Sequence, residues 1–533
     1  MISTKAGKRS QGGRKATRAA RFLRYMWFRL RRDRVIESIT LLVLTLSVSY
    51  VVLGAVRVEP TLLGEKILLH WCQLRGFYGG SCLREMLSEK TLFEQALSLS
   101  LFITVIALTV ISMKLRYFAA IFAVFALAFL GVVPPQDLVS GVEWRLVVFL
   151  IGAMILAFIL RSLGVFRYIV LKILRVCRGS PTAFLTILAL ISWFLAIAVD
   201  EATSIVYVTM LLLDLKKLTG KDVSPLVVYS VLATNTGSMA MPIGNPIGIY
   251  LAFSTGLHGG DFAKVALPLS LLTLVPLILV TRALLKQYLL DVVKSITVDR
   301  VQVLYAEFYT MIDRRGKTSV TYGLALLVGF LLAVSTSNII AESMSKAYGY
   351  ALDAHALLAF IPYIFVFLSL EWYEPERLET ALLRGVEWPS LFFFIALFML
   401  GYSLLYSGVA TKIAYLISAL LPALGELFVK EVLLVTTAAT SAVLDNLSVV
   451  VAFTPVASSL VYGGVSRSIY WTLLYGGTLG GNFTPIGSTA NIVALGLCDK
   501  ARIRISWASW LRVALVPTLI QIIIAVVWTT FLT

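Results

Sequence analysis

Apolar runs separated by short polar connections fill the chain from Val35 to its last residue. Many of these runs hold about 17 to 25 residues, the length of α-helix that crosses the hydrocarbon core of a bilayer. We therefore predict an all-α polytopic membrane protein with about eleven transmembrane helices. The predicted helices are residues 35–56, 93–113, 117–133, 146–160, 225–253, 266–285, 319–334, 355–370, 390–405, 468–497 and 506–532.

Two further apolar segments carry a polar pair near their middle. Residues 183–213 contain Asp200 and Glu201, and residues 432–460 contain Asp445 and Asn446. Each leg of these segments is short for a full crossing, so the pattern predicts two re-entrant hairpins that enter the membrane from opposite faces. A carboxylate in hydrocarbon costs several kcal/mol unless it is paired or protonated, so these acids are predicted to hold a cation or to titrate.

A break rich in glycine and proline interrupts the long apolar helix that follows each hairpin. The two breaks align without gaps, because PIGN at 242–245 falls on PIGS at 485–488. A broken helix is tolerated in hydrocarbon only where it lines a cavity or is buried in protein. Two such breaks at matching places in two halves predict an inverted repeat with a binding site between the halves. The alternative is a pair of kinked structural helices.

The distribution of charge orients the predicted helices. Twelve of the 46 lysines and arginines lie in residues 1–34, against the single acid Asp33. A basic arm before a first membrane helix is placed in the cytoplasm by the positive-inside rule, which leaves the C-terminus outside. The predicted divisions are a basic cytoplasmic tail at 1–34, the first transmembrane span and first repeat at 35–285, a cytoplasmic linker at 286–318, and the second, inverted repeat at 319–533.

Each half also carries an arm of helix before its hairpin. Residues 165–178 place four basic side chains within one wedge of a helical wheel, which predicts a helix lying on the cytoplasmic leaflet. Residues 411–423 match it in the second half. The short connections and the lack of a targeting signal suggest the cytoplasmic membrane of a prokaryote.

The composition excludes several classes of function. The chain is 59% hydrophobic and 14% charged, far from a soluble protein, and its net charge of +17 is concentrated next to the membrane rather than spread over a nucleic-acid surface. Its four cysteines and three histidines show no metal-ligand spacing and no nucleophile arrangement, so we expect neither an enzyme nor a cofactor beyond a coupling ion. Cys72 and Cys82 share a polar loop, where they are either a disulfide or two free thiols.

The hairpin tips and the broken helices supply the predicted site. Their hydroxyl, amide and carboxylate oxygens are hard ligands of the type that suits Na⁺, whereas free N–H groups at the hairpin tips could bind an anionic solute. Each tip acid has a structural alternative, as a cap on the N–H groups of its own hairpin. The predicted ion- and solute-binding residues are Asp200, Glu201, Thr203, Asn235, Thr236, Gly237, Gly244, Asn245, Asp445, Asn446, Ser448, Gly480, Asn482, Thr484, Gly487, Ser488, Thr489 and Asn491.

The motifs around these residues resemble a known family. LDNLSVVVAFTPV and LYGGTLGGNFTPIGSTANIV, together with TNTGSMAMPIGNPIGI, are similar to the ion transporter superfamily, closest to the branch of ArsB-type arsenite pumps, NhaD-type antiporters and the P protein. Divalent anion/Na⁺ symporters and citrate transporters are more distant relatives. The resemblance covers nearly all of residues 35–533 and implies paired ion sites that flank the substrate, usually in a homodimer.

The resemblance places one sodium site at each tip. The first would use Asp200, Thr203, Asn235 and Asn245, and the second Asp445, Asn446, Thr484 and Ser488. Glu201 and Ser238 depart from the Asp-Asn and Gly-Gly pairs that the family often has, so the first site is expected to differ from the second or to be coupled to protons alone.

The sequence therefore predicts an ion-coupled secondary active transporter that works by alternating access. It would move a small inorganic oxyanion-like solute such as arsenite, or exchange Na⁺ for H⁺. Acids at both hairpin tips count against a multiply charged anion, but a Na⁺-coupled di- or tricarboxylate symporter stays open, as does a gated anion channel. The expected partners are a small inorganic or organic solute, membrane lipid and a second copy of the chain, and no nucleic acid.

Overall fold

A computed structural model shows an all-α polytopic protein, which confirms the predicted fold class. The structure describes residues 41–55, 62–77, 81–111, 116–165, 168, 180–198, 200–294, 316–349, 353–370, 374 and 378–531, and no β-strand occurs among them. The basic tail at 1–34, most of the arm at 165–178, and residues 295–315 of the linker lie outside the described residues.

Three short helices, α1 to α3, come first, and the remaining helices follow the order of the two predicted repeats. Helices α1 to α13 are Leu41–Ala55, Leu62–Arg75, Ser81–Met86, Glu89–Ile111, Arg116–Phe129, Pro135–Ser140, Trp144–Ser162, Pro181–Ala198, Glu201–Thr219, Ser224–Ser238, Pro246–Thr255, Gly259–Leu284 and Lys286–Lys294. Helices α14 to α23 are Gly316–Ser335, Ser337–Tyr348, Ala354–Ser369, Leu378–Gly385, Trp388–Tyr406, Val409–Ser441, Asn446–Gly463, Ile469–Gly480, Thr489–Lys500 and Trp507–Thr530.

Within the described part of the chain, nine helices are long and apolar enough to cross a membrane. Several predicted spans are instead shorter apolar helices, among them α1, α5 and α16. Conversely, both legs of the first hairpin, α8 and α9, have 18 or 19 residues, which is more than their apolar stretches predicted. The predicted second leg stopped at Leu213, where the apolar stretch ends. The helix itself continues through polar residues to Thr219.

The second hairpin begins in a bent helix. The predicted arm at 411–423 and the predicted leg at 432–444 belong to one helical run, α19, which has a non-helical residue, Gly425, at φ 79°. Glycine adopts this left-handed conformation without a Cβ clash, so the chain can turn there from the arm into the hairpin. The helix ends at Ser441, three residues before the predicted end, and α20 forms the second leg.

Helices α7 and α18 show that the two repeats run in opposite directions. Gly141, just before α7, packs against Tyr402 near the end of α18, where an added β-carbon would lie 2.4 Å from the ring. Gly385, just before α18, packs in the same way against Phe158 near the end of α7. The start of each helix therefore lies beside the end of the other, and 244 positions separate both pairs of equivalent residues.

A small cap built from α2 and α3 covers one end of the second repeat. Cys72 and Cys82 form a disulfide, which settles the alternative that the sequence left open. The indole of Trp71 donates to the carbonyl of Tyr406 at the end of α18, and Gln73 accepts a hydrogen bond from Tyr462 of α20. The cap thus joins the antiparallel helix pair to the second hairpin.

Candidate functional site

Each hairpin tip turns on an aspartate that caps the following helix. The Oδ1 atom of Asp200 accepts a hydrogen bond from the backbone N–H of Thr203 at 2.8 Å. The Oδ2 atom of Asp445 accepts from the N–H of Ser448 at 3.3 Å and from its hydroxyl at 3.1 Å. A carboxylate at this position satisfies free N–H groups and interacts favourably with the helix dipole. Both aspartates therefore have the structural role that was the alternative to ion binding.

The two breaks also end in helix caps. Asn245 accepts from the N–H of Gly248 at 2.6 Å to begin α11, and Ser488 accepts from the N–H of Asn491 at 3.4 Å to begin α22. Each loop folds tightly onto itself: a β-carbon on Gly244 would lie 2.2 Å from the carbonyl oxygen of Ser238. In the second break, a β-carbon on Gly487 would lie 2.6 Å from the carbonyl oxygen of Gly481. Four helix N-termini, those of α9, α11, α20 and α22, are thus built around the two tips and the two loops.

Asn235 connects the two repeats through a buried polar network. Its amide donates to Asn482 Oδ1 at 2.8 Å and to Asn491 Oδ1 at 3.0 Å, and its own Oδ1 accepts from the hydroxyl of Ser488 at 3.2 Å. Ser488 also donates to Asn491 at 2.6 Å. The sequence-predicted residues of the first and second breaks therefore meet, although they are about 250 positions apart in the chain.

A second contact between the breaks is related to this one by the repeat. The amide of Asn245 donates to the hydroxyl of Thr478 at 3.3 Å. Asn245 corresponds to Ser488, and Thr478 corresponds to Asn235, at the same offset of 243 positions. The two cross-repeat contacts are thus equivalent, which places the loops on either side of a pseudo-twofold axis.

The network includes residues that the sequence did not single out. Gln521 of α23 donates to Thr236 Oγ1 at 2.8 Å and to the carbonyl of Thr273, and accepts from Asn482. The indole of Trp510 donates to the carbonyl of Asn482 at 3.0 Å. A single glutamine inside the apolar stretch 506–532 was the signal that could have identified α23 as part of the site.

Glu201, rather than Asp200, contacts the first broken helix. The hydroxyl of Ser238 donates to Glu201 Oε2 at 3.3 Å, and Asn245 donates to the same hydroxyl oxygen at 2.9 Å. Glu201 is 1% exposed, and Asp445 and Asn446 of the opposite hairpin both influence its carboxyl. Glu201 is therefore the tip residue through which the first hairpin meets both the first break and the second hairpin.

Two buried polar atoms at this meeting point have no hydrogen-bond partner other than each other. They are Oε1 of Glu201 and Nδ2 of Asn446, one an acceptor when ionised and the other a donor. The side-chain oxygen of Asn446, Oδ1, accepts a hydrogen bond from the N–H of Leu447. Because an acceptor here faces a donor, a proton or cation on Glu201 would compete with the Asn446 amide for the same carboxyl oxygen.

The hydrogen bonds of the predicted sodium ligands run partly within the two predicted sets and partly between them. Within its predicted set, Asp200 forms a hydrogen bond with Thr203. Asn235 and Asn245 are linked through the hydroxyl of Ser238, which donates to the Asn235 carbonyl and accepts from the Asn245 amide. In the second set, Thr484 donates to the carbonyl of Ala442, while Ser488 turns to Asn235. Thr489 is the half-buried first residue of α22, and Gly237 and Gly480 lie at the last turns of α10 and α21.

The site is rich in amide and hydroxyl groups and poor in positive charge. In the described part of the chain, none of the hydrogen bonds of these residues comes from lysine, arginine or histidine, and no ion pair includes Asp200, Glu201 or Asp445. Among the same residues, no three side chains of the His, Cys, Asp or Glu type converge as ligands of a metal ion. The arrangement favours ligands that accept and donate hydrogen bonds over a metal held by carboxylates alone.

Comparison with known proteins places this chain in a family of transporters. A family model described as a citrate transporter, CitMHS, matches residues 101–429. An uncharacterized transporter of Mycobacterium tuberculosis is 28% identical over 401 residues, which cover 73% of this chain and 86% of that protein. An uncharacterized transporter of Synechocystis is 22% identical over 460 residues, 82% of this chain and 97% of that protein. The human P protein is 26% identical over 457 residues, 73% of this chain and 54% of the P protein.

These similarities confirm the superfamily that the motifs indicated. The P protein is one of the relatives that the motifs of the breaks resembled, and citrate transporters are another. The family model covers the first hairpin and the first break, and it ends within α19.

Proposed function

The chain belongs to the citrate transporter (CitMHS) family and is a multi-pass membrane transporter, and we propose that it is a secondary active transporter coupled to H⁺ or Na⁺. In this proposal the two hairpins and two broken helices form one moving unit, which exposes its site alternately to the two faces of the membrane. An uncoupled pathway, as in a gated anion channel, would not need a buried carboxylate at its centre.

One observation carries the proposal: Glu201 and Asn446 meet across the two repeats, and Oε1 of Glu201 and Nδ2 of Asn446 have no hydrogen-bond partner other than each other. A proton or a cation on Glu201 Oε1 would displace the Asn446 amide, which would free Asn446 Nδ2 to donate to an oxygen atom of a solute. Because a buried carboxylate is disfavoured unless its charge is compensated, binding of a solute at Asn446 is linked in this proposal to the charge on Glu201. That linkage is the requirement for coupled transport.

The polarity of the site bears on the solute. A free anion with several charges would meet Glu201, Asp200 and Asp445 with no basic side chain among the site's hydrogen-bond donors, which costs Coulomb energy. A small oxyanion-like solute that is uncharged near neutral pH, such as protonated arsenite, avoids this repulsion, as does exchange of Na⁺ for H⁺. These two substrates are our first choice.

A second candidate is a Na⁺-coupled di- or tricarboxylate symporter. It is favoured by the description of the family as citrate transporters and by the four helix N-termini around the site, whose dipoles attract anions. The N-termini of α9 and α20 are capped by the carboxylates of Asp200 and Asp445, whereas those of α11 and α22 are capped by the neutral Asn245 and Ser488. A carboxylate would therefore depend on the neutral caps of α11 and α22 and on a bound cation.

The membrane arrangement completes the proposal. Relatives in mycobacteria and in Synechocystis support a prokaryotic cytoplasmic membrane. We place the N-terminus inside and the C-terminus outside, with the disulfide-bonded cap on the outer, oxidising face. A homodimer is proposed from the superfamily alone.

The test uses the full chain reconstituted in proteoliposomes, with ²²Na⁺, arsenite and citrate as probes. We expect a pH or Na⁺ gradient to drive accumulation of at least one of them. Glu201→Gln should abolish this accumulation but retain exchange of the same probe between equal pools, because it removes the coupling charge and keeps the shape of the side chain.

The matched control is Glu379→Gln on the exposed short helix α17, which removes the same charge away from the site and should transport like the wild type. Accumulation that survives in Glu201→Gln, or flux that ignores both gradients, would refute the coupling proposal. Conductance far above carrier turnover would favour a channel.

A further inference from the structure

An apolar cavity of about 310 Å³ lies between the second hairpin and the helices that pack beside it. Its walls come from the middle of α4, from α18, from both ends of α19 and from α20. Two of its lining residues, Leu444 and Ser448, adjoin Asp445 at the hairpin tip. The cavity therefore extends from the arm at the start of α19 to the tip, next to the candidate site.

The lining of this cavity is almost entirely hydrocarbon. Thr440 and Ser448 are the two polar residues among those that line it. The hydroxyl of Thr440 donates to the carbonyl of Thr436 at 2.7 Å, and that of Ser448 donates to Asp445 at 3.1 Å. Among the described residues, the wall therefore offers no free polar group to water or to a polar solute. An engineered apolar cavity of about 150 Å³ stays dry and binds benzene, and this cavity is larger.

The cavity opens sideways at the level of the lipid tails. Leu99, the first residue of α4 that lines it, follows the exposed Glu89 by ten residues, about 15 Å along the helix axis. The hydrocarbon core is about 30 Å thick, so this depth is close to the bilayer centre. Ile103, one turn further, is 39% exposed, whereas Leu404 and Val409 are buried. An exposed residue in the middle of a membrane helix faces lipid, so hydrocarbon tails are the solvent at the mouth of the cavity.

The first repeat fills the equivalent place with two large side chains. Tyr207 and Ala452 stand at the same position, seven residues after the aspartates of their hairpin tips. The guanidinium of Arg161, near the end of α7, lies 5.7 Å from the centre of the Tyr207 ring. The second repeat has Leu405 and Ala452 at the corresponding positions of α18 and α20. The small side chain of Ala452 therefore encodes the cavity, which does not arise from the position of the hairpin alone.

Close contact between α18 and α20 ends where the cavity begins. A β-carbon on Gly401 would lie 2.7 Å from Cγ1 of Val451. About one turn later, Leu404 and Val456 line the cavity instead. In the proposed function α20 belongs to the moving unit and α18 does not, so motion between these two helices changes the shape of the cavity.

We propose that this cavity binds an acyl chain of a membrane lipid, which enters between α4 and the second hairpin and holds the hairpin in the conformation described here. The chain is recognised by the apolar walls, and the headgroup stays outside. A ligand that fits one conformation better than another shifts the equilibrium toward it. The binding site goes beyond the proposed function, whereas its effect on transport rests on that function.

The binding test uses the full-length protein in vesicles of phosphatidylethanolamine and phosphatidylglycerol. These vesicles also contain a phospholipid with a photoreactive diazirine at the end of one acyl chain. After illumination, mass spectrometry identifies the labelled residues. We expect label on Leu404 and Val456, which are 4% and 2% exposed and can meet the diazirine only inside the cavity.

Two variants fill the cavity from different ends. Ala452→Phe should lower the label on Leu404 and Val456 by about tenfold, because the ring takes the space of the chain. Ile413→Phe, at the end of the cavity next to the arm, should lower it in the same direction. The melting temperature of each variant verifies that it is folded.

Ala419→Phe is the matched control, since it adds the same ring at an exposed position of α19 outside the cavity. Its label should equal that of the wild type. A second phospholipid, with the diazirine beside the headgroup, should label Leu404 and Val456 less than the chain-end probe does. Equal labelling by the two probes would contradict recognition of the chain.

The effect on transport is measured as exchange in proteoliposomes, with whichever of ²²Na⁺, arsenite or citrate the wild type exchanges. Ala452→Phe should slow exchange by about tenfold, because a permanently filled cavity favours one conformation. Ala419→Phe should exchange like the wild type. Lost label with unchanged exchange would leave the lipid site in place and refute its hold on the hairpin.

The remaining outcomes separate this site from the proposed function. Equal label in the wild type and in Ala452→Phe would refute the acyl-chain site. Absence of label together with disulfide-linked dimers of Ile103→Cys would assign the cavity to a second copy of the chain and refute the lipid as its occupant. A cavity that is labelled as expected, in a protein that shows no gradient-driven transport, would refute the proposed function and leave the lipid site.

Discussion

The backbone of Gly237 presses against Trp193 so closely that a β-carbon on residue 237 would lie 2.3 Å from the Trp193 carbonyl oxygen. The equivalent Gly480 stands at the same 2.3 Å from the carbonyl oxygen of Ala438. In each repeat, therefore, the end of the first half of the broken helix is held against the first leg of the hairpin by backbone contact. In the proposed alternating-access cycle, we expect these contacts to keep each hairpin and its break together as one body.

Gly237→Ala and Gly480→Ala should each destabilise the protein by about 1–3 kcal/mol, since two packed backbones must separate to admit a methyl group. The measurement is the melting temperature of the purified protein in detergent. Gly496→Ala is the matched control, because a β-carbon there meets nothing within 4 Å, and alanine favours helix at that position. Equal melting temperatures for Gly237→Ala and Gly496→Ala would contradict the packing argument.

The locations of the breaks could be predicted from sequence because glycine and proline interrupt an apolar run at matching places. What the pattern could not give was the partner of each side chain. Asp200 and Asp445 are the most evident acids, yet both cap their own helices, while Glu201 reaches Ser238 across to the first break. A helix cap joins residues three positions apart, so the sequence alone can indicate it. A contact between two elements depends on how they pack, which the periodicity of the sequence does not encode.

The residues that the sequence reading missed have a common feature. Gln521 and Trp510 lie in a helix that reads as one uninterrupted apolar span. Their contacts with the site depend on which face of α23 meets the broken helices. The extended leg α9 and the bend at Gly425 were missed for a related reason. Hydropathy indicates whether a helix lies in lipid or in water, but it does not indicate where the helix begins, bends or ends.

Asn235→Asp should weaken the contact between the repeats. An aspartate has nearly the same shape, but its second oxygen cannot donate to Asn482 Oδ1 and Asn491 Oδ1 and would repel both. Each acceptor left without its donor in a buried site costs about 1–3 kcal/mol. We expect a melting temperature several degrees below that of the wild type, together with loss of gradient-driven uptake in proteoliposomes.

Thr255→Val provides the comparison for this variant. It also exchanges a polar group in a broken helix for a near-isosteric one, but the Thr255 hydroxyl bonds only within its own helix, to the carbonyl of Leu251. Its melting temperature should stay close to the wild-type value. If Asn235→Asp were as stable and as active as Thr255→Val, the network between the breaks would not hold the repeats together.

Loss of the Cys72–Cys82 disulfide should lower the melting temperature without removing transport. The bond closes a loop of ten residues, so its removal frees the unfolded chain and costs about 2 kcal/mol. A Cys72→Ser, Cys82→Ser double variant measures this, and reductant should shift the wild type to the same temperature but leave the double variant unmoved. A wild type that does not respond to complete reduction would show that the cap is held by its other contacts, such as that of Trp71 with Tyr406.

His70 predicts how the stability of the cap depends on pH. It lies in α2, outside the helices long enough to span the membrane, and its ring stacks on Tyr462 at 4.3 Å. Burial lowers the pKa of His70 below its ordinary value of 6.5. A lowered pKa in the folded state means that the unfolded chain binds the proton more tightly. The contribution of His70 to stability is therefore fully present above about pH 6.5 and falls as the pH drops below it.

The variant His70→Phe keeps the stacked ring but cannot titrate. Its melting temperature should decline less than that of the wild type between pH 7.5 and pH 5.5, about one unit on either side of the ordinary histidine pKa. Tyr462→Phe keeps His70 and the stack and loses only the hydrogen bond to Gln73, so it should start from a lower temperature and retain the wild-type slope. Identical slopes for His70→Phe and the wild type would assign the acid sensitivity to other groups.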